Sequence, residues 1–203
     1  MFTNGTDLSL VDTESKHVSR VLSLTSSPSH VAVHEAASLV FWVDRTKKTI
    51  LRSKTKAAIG DNKVVIDEDV GVDDKIALDW VHSHLYWVSQ RRKAIMVISL
   101  SGDKKAKIVS LPDEEHPRAV ALSPEFGLLF WSETRDDETR GKISRSDMAG
   151  DNIQTLVVDP EFVIVPKEIA VDYIKKKVFW LDTKLKHVGS VNFDGTDKKI
   201  VIR

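Results

Sequence analysis

Along the chain, apolar residues alternate with polar ones in short runs rich in Val, Ile, Phe and Trp, and no stretch sustains a helical period long enough to compete. The pattern predicts strands, and it repeats. An aromatic pair stands at Phe41-Trp42, Tyr86-Trp87, Phe130-Trp131 and Phe179-Trp180, at intervals of 45, 44 and 49 residues. Eleven residues before each of these tryptophans a second motif begins: Val31-Ala32-Val33, Ile76-Ala77-Leu78, Val120-Ala121-Leu122 and Ile169-Ala170-Val171. A β-branched residue follows the Trp by eight positions at Ile50, Ile95 and Val188, and by twelve at Ile143, which places four extra residues near Asp136–Thr139. Gly102, Gly150 and Gly195 come seven residues later and mark hairpin turns, where glycine supplies a positive φ.

Each period divides into four strands separated by turn chemistry. In the last one these are Ile169–Asp172, Lys177–Leu181, Lys186–Phe193 and Lys198–Ile202. Four strands in about 45 residues is the arithmetic of a propeller blade. The expected repeats are 1–27, 28–72, 73–116, 117–165 and 166–203, the first lacking its opening strand. Helix should be negligible.

Ile76-Ala77-Leu78-Asp79 followed by Leu85-Tyr86-Trp87-Val88 resembles the YWTD repeats of the low-density-lipoprotein receptor family. Trp80 to Trp87, and Leu181 to Leu185 running on to Asn192-Phe193-Asp194-Gly195, are similar to the lipoprotein and vitellogenin receptor branch. The resemblance covers the whole chain and implies an all-β, six-bladed propeller, of which about five blades are expected here. Closing such a ring takes a further 45 to 60 residues or thereabouts, the length of one more blade and an inner strand. The sequence also departs from the motif. Its final Asp is kept at Asp44 and Asp182 but becomes Ser89 and Glu133; the strand-one Asp is kept at Asp79 and Asp172 but becomes His34 and Ser123.

Charge and composition narrow the functions. Thirty Lys plus Arg balance thirty Asp plus Glu, so no overall field draws the chain to nucleic acid. There is no Cys, which excludes thiolate metal sites, disulfides and thiol nucleophiles. No run of apolar residues is long enough to insert into a membrane. The sequence has no G-x-S-x-G, no phosphate-cradling glycine loop and no H-E-x-x-H, and its acidic runs lack calcium-loop spacing. No cofactor, metal or catalytic residue is expected. The aromatic pairs read as a folding device, one ring to each blade face, and the motif Asp residues as turn caps.

Two sets of residues remain as candidates. The turns joining second to third strands hold Arg45, Lys47, Lys48, Arg91, Arg92, Lys93, Arg135, Arg140, Lys184 and Lys186, a basic arc on one rim. It is either a surface for an acidic protein ligand or a set of charges compensated by acidic blade connections. His82, His84 and His116 fall in the same or adjoining blades; they are either solvated turn residues or part of a pH switch, since histidine titrates near pH 6.5. His82 best matches the turn histidine that the resemblance associates with acid-dependent release. Asn4-Gly5-Thr6 is the one N-x-[ST] sequon, a candidate glycosylation site at Asn4. The resemblance implies a non-catalytic module of an endocytic receptor, extracellular or in the endosomal lumen. It would bind and release protein ligands such as lipoprotein or yolk-protein cargo, and engage Cys-rich modules of the same receptor. The alternatives are a matrix or signalling propeller and, from another class, an enzymatic one.

Overall fold

The computed structural model describes residues 2–4, 7–11, 15–23, 28–55, 58, 61–102 and 104–203. Its described residues form five antiparallel sheets whose strands follow one another in chain order. Blade I has three strands, β1 (Phe2–Asn4), β2 (Asp7–Val11) and β3 (Val18–Ser23). Blade II has β4 (Pro28–His34), β5 (Leu39–Asp44), β6 (Thr49–Lys54) and β7 (Lys63–Ile66). Blade III has β8 (Ile76–Asp79), β9 (His84–Ser89), β10 (Ala94–Ser99) and β11 (Lys105–Ser110). Blade IV has β12 (Glu115–Ser123), β13 (Leu128–Arg135), β14 (Gly141–Asp147) and β15 (Gln154–Val157). Blade V has β16 (Pro166–Asp172), β17 (Lys177–Asp182), β18 (His187–Asn192) and β19 (Lys199–Ile202). One short 3-10 turn, Pro124–Phe126, is the sole helical element among the described residues.

Every sheet carries a bulge at the same place, between its last two strands. It falls at Leu8/Ser9, Ile50/Leu51, Ile95/Met96, Ile143/Ser144 and Val188/Gly189. In blades II to V its first residue is the β-branched position of the repeat. A bulge bends the strand and increases its twist, and its presence at Leu8 puts blade I in register with the others.

The aromatic pairs lie on the second strand of blades II to V, and they lock neighbouring blades together. Period-two alternation sends Phe41 toward blade III, where it shares a buried cluster with Trp87. Tyr86 clusters in the same way with Trp131 of blade IV, and Phe130 with Trp180 of blade V. Trp42 looks the other way, onto Leu8 of blade I. Burial between blades is therefore anchored by the same aromatic pair in each repeat, packed with aliphatic residues of the adjoining strands.

Inner strands β4, β8, β12 and β16 line a channel of about 340 Å³. Ala32, Ala77, Ala121 and Ala170, one per inner strand, all face it, and their small side chains let four strand edges converge. The sheet order gives the molecule two unlike faces. The linker face holds the blade-to-blade connections and the turns between second and third strands. The hairpin face holds the remaining turns.

Candidate functional site

Local hydrogen bonds shape the linker face first. Asp44, fully buried, accepts the N–H groups of Thr46 and Lys47 on Oδ1, each at 2.9 Å. Asp182 does the same for Lys184 and Leu185 at 3.0 and 2.9 Å. Its second oxygen takes Ile164 N–H at 2.6 Å and Val165 N–H at 2.8 Å from the incoming linker. In blade III the shorter Ser89 caps Arg92 N–H from Oγ at 3.3 Å. The motif acids are therefore turn caps, as a short carboxylate beside free backbone donors should be. Lys48, Lys93 and Lys186 end these turns with φ of 53°, 49° and 56°.

Blade IV solves the same problem with charge. Glu133 stands where other blades have Asp; its Oε2 accepts Trp131 Nε1–H at 3.0 Å, and Lys142 Nζ lies 2.9 Å from its Oε1. Lys142 also reaches Glu115 at 2.5 and 2.7 Å, and Arg140 reaches Glu115 at 3.0 Å. Burial pushes the Glu133 carboxyl above its ordinary range despite the lysine. Burial also acts on Glu115, but hydrogen bonds from Lys142 and others bring it below its ordinary range.

The basic arc is largely compensated. Arg45 pairs with Asp73 at 3.2 Å, Arg92 Nε with Asp69 at 2.6 Å, and Arg91 with Asp69 at 3.6 Å. Arg135 pairs with Glu114 at 3.0 Å. Lys93 donates to the Asp113 carbonyl, and Lys184 to the Glu138 carbonyl at 2.7 Å. Lys47, Lys48 and Lys186 make no ion pair among the described residues. The acidic linkers that bracket each blade supply most of the partners, so the arc joins blades more than it presents charge outward.

Two more cations without an ion pair among the described residues lie together at the channel mouth on this face. A cavity of about 250 Å³ is lined by Arg45, Asp73, Lys75, Gln90, Arg118, Lys167 and Glu168. Lys75 Nζ bonds Glu168 Oε1 at 2.5 Å across the mouth, from blade III to blade V. Arg118 and Lys167 have no ion pair among the described residues, and Arg118 Nε is buried without a hydrogen-bond partner. Beside them, His30 Nδ1 accepts Ile76 N–H at 3.3 Å. Burial, then Lys75, hold His30 down to about 4 against a smaller opposing pull from Glu168. An anionic group entering this cavity meets Arg118 and Lys167 without an ion pair among the described residues, beside Arg45 and Lys75, which are already paired. Sequence inspection missed Lys75, Arg118 and His30, because they lie on inner strands and linkers rather than in the repeated turns.

The three candidate histidines do not form one cluster. His82 and His84 lie at the hairpin end of blade III, whereas His116 begins β12 on the linker face. His82 Nδ1 is 2.8 Å from Asp79 Oδ2, whose other oxygen caps the Val81 and His82 N–H groups at 3.0 Å each. His116 Nε2 pairs with Asp136. Asn4 closes β1 opposite Asp7; the rest of the sequon, Gly5 and Thr6, lies outside the described residues. Among the described residues, no group of three His, Asp or Glu side chains is placed to hold a metal ion, and no helix is long and apolar enough to cross a membrane.

No protein-family model matches the chain. A vitellogenin receptor from Solenopsis invicta is 28% identical over 188 residues, which is 90% of this chain and 10% of that protein. Low-density lipoprotein receptor-related protein 8 from Gallus gallus is 25% identical over 196 residues, 96% of this chain and 21% of that one. A human low-density lipoprotein receptor-related protein 5-like protein is 26% identical over 164 residues, 81% of this chain and 62% of its own length. The chain thus spans less than two thirds of each of these relatives. Among solved structures, one of a nidogen/laminin complex superposes with a TM-score of 0.84 at 19% identity, covering 98% of this chain and 76% of that one. A putative TolB from Agrobacterium tumefaciens shares the fold alone, with a TM-score of 0.77 at 9% identity over 98% of this chain and 74% of that one. The repeat, its register and these receptor relatives make the chain similar to the YWTD-type β-propellers of the low-density-lipoprotein receptor family, and the nidogen/laminin structure shares its fold.

Proposed function

We propose that the chain is the non-catalytic, ligand-binding propeller of an endocytic lipoprotein-type receptor, exposed outside the cell and in the endosomal lumen. Its linker-face channel mouth would receive an acidic segment of a protein ligand or of a neighbouring Cys-rich module. The observation that carries this reading is the cavity holding Arg118 and Lys167, neither in an ion pair among the described residues, on a face whose other cations are mostly paired. Hexaglutamate is a suitable probe. Saturable, salt-sensitive binding that Arg118→Gln weakens about tenfold and Lys48→Gln leaves unchanged is the expected result. Equal loss in both variants would point to diffuse attraction and would sink the cavity reading.

Acid-dependent release is the finer part of the proposal. It predicts that acidification alters binding to the acidic module, and that His82→Ala, His84→Ala or His116→Ala removes the pH effect. Because His116 shares the linker face with the cavity and the other two do not, His116→Ala should act most strongly. A pH profile unchanged in all three variants rejects the switch.

We also propose that a sixth blade completes the ring. Phe41, Tyr86 and Phe130 are each buried by the following blade, but Phe179 is only half-buried and Leu181 beside it is 42% exposed. Among the described residues, the apolar clusters join blades I to V in series and none joins V to I. The chain alone should therefore bind a hydrophobic dye or aggregate; a monodisperse, cooperatively melting monomer would argue for a closed five-bladed ring.

A further inference from the structure

The hairpin face has a second feature at the other end of the channel. Glu35, Trp80, Pro124 and Tyr173 are each the first residue beyond an inner strand, so the repeat sets them in one ring round the mouth. Trp80 and Tyr173 meet across it edge to face, with centroids 5.8 Å apart and planes at 87°. Both stay accessible, at 41% and 39% exposure. Trp80 lines the channel on one side, and on the other a groove of about 490 Å³ shared with Val33, His34, Glu35 and Ala36. Glu35 and the nearby Glu125 make no ion pair among the described residues. In the intervening turn, Phe126 already carries a cation, Lys176 Nζ at 4.7 Å from its centroid. No described cation covers Trp80 or Tyr173.

We infer that this mouth binds the ammonium or guanidinium side chain of a basic protein segment, held against Trp80 and Tyr173 and countered by Glu35. Aromatic faces attract cations through their quadrupole, and desolvation in a cavity strengthens the effect. The unpaired carboxylates favour such an occupant over an acidic one, and the lysine on Phe126 shows the same contact made internally. Lys175 and Lys176 stand on the blade V side, so the guest's charge belongs toward blade II, where the groove runs to Glu35. The site is independent of the linker-face reading: it lies on the other face and selects the opposite charge.

The test uses the whole chain and hexaarginine as probe. Of the five tryptophans, Trp42, Trp87, Trp131 and Trp180 are at most 2% exposed, so any change in accessible indole emission reports Trp80. A saturable change in emission is expected, together with protection of Trp80 from iodide quenching. By calorimetry, Trp80→Leu should weaken binding about tenfold and Glu35→Gln about threefold. Lys48→Gln, on the other face, should leave it unchanged. Trp80 and Glu35 are surface positions, so matching melting curves will show that the variants fold. The inference is overturned if hexaarginine does not saturate, if Trp80→Leu binds it equally well, or if hexaglutamate protects Trp80 to the same extent. Concentration-dependent shielding of Trp80 without peptide would assign the mouth to a second copy of the chain, and overturns it too. Failure of hexaglutamate to find Arg118 would leave this result untouched.

Discussion

The two faces are built from one repeat and end with opposite chemistry. On the linker face, buried Asp44 and Asp182 fix the turns, and arginines reach from one blade to the acidic linkers beside it. On the hairpin face most turns belong to a single blade, and their tips are Trp80, Phe126 and Ile174, the last 94% exposed. A turn that must also seat a linker has its side chains committed to holding the ring. A turn that seats nothing can present apolar and unpaired groups to a partner. The face that looks more functional by charge is thus the more structural one, except at its central cavity.

The largest effect should come from below both faces. Trp87 is 1% exposed and packs against Phe41 of the preceding blade, so Trp87→Ala should cost about 3–5 kcal/mol, the range for buried aromatics. Gly189 sets a second test, since a Cβ there would meet the Trp180 ring; Gly189→Ala should cost about 1–3 kcal/mol through overpacking. Denaturant melts would measure both. Hexaglutamate and hexaarginine binding should fail together as either variant unfolds. Loss of one without the other would mean that the faces do not depend on a common core.

Much of this core was legible in the sequence. The aromatic pairs, the β-branched bulge position and the turn glycines are repeated, and repetition separates a signal from a single chain. The strands of blade V match their expected bounds within a few residues, because alternation and turn chemistry agree there. The charged cavity was not legible. Lys75 and Glu168 stand twelve residues before their tryptophans and Arg118 and Lys167 thirteen, but the residue type changes from blade to blade at both positions, so nothing marks them as one site until the inner strands converge. The histidines mislead in another way: membership of adjoining blades groups His84 with His116, but one strand's length separates the two faces. The basic arc was visible as charge; its compensation depends on which linker folds beside which turn.

The carboxylate anchors should separate the faces next. Asp182 accepts four backbone N–H groups, two of them from the linker, whereas Asp79 accepts two and faces His82. Hydrogen bonds to a charged group contribute roughly 1.5–3 kcal/mol. Asp182→Ala is expected to cost at least about 3 kcal/mol and to loosen the linker before β16. Asp79→Ala should cost about half as much and leave the linkers intact. Hydrogen exchange at Ile164 and Val165 would distinguish the two, and equal exchange in both variants would contradict this division.

Acid sharpens the contrast further, through two groups on the linker face. Burial pushes Asp74 up to about 6, against N–H bonds from Gly71 and Gln90 and with a smaller push from Asp73. Its folded pKa is raised, so the folded state holds the extra proton and stability rises as pH falls from 7 toward 5. His30 is opposite: its folded value of about 4 lies below the usual 6.5, so the unfolded chain takes the proton first and stability falls over the same window. The linkage gives roughly 1 kcal/mol gained from Asp74 and roughly 2 lost from His30 between pH 7 and 5. The unmodified chain should therefore change little. Asp74→Asn should become clearly acid-labile, and His30→Gln should gain stability on acidification. Parallel pH profiles for the two variants would show that neither group carries the shift.

The smallest effect should be that of the exposed pairs in the basic arc. Arg45 and Asp73 are 3.2 Å apart, but their side chains are 55% and 66% exposed. Water screens the pair and both side chains lose rotamer freedom to form it, so such contacts are typically worth about 0.2–1 kcal/mol. A double-mutant cycle with Arg45→Gln and Asp73→Asn should give a coupling at the low end of that range, falling further at high salt. The Lys142 and Glu115 pair is the useful contrast, because those side chains are only 21% and 7% exposed. Removing Lys142 leaves the Glu115 and Glu133 carboxylates facing one another with less positive charge, and Lys142→Met should cost several times more than Arg45→Gln. If the exposed pair instead coupled as strongly as the buried one, the arc would be holding the blades in register, and its arginines could not be exchanged freely without disturbing the cavity at the channel mouth.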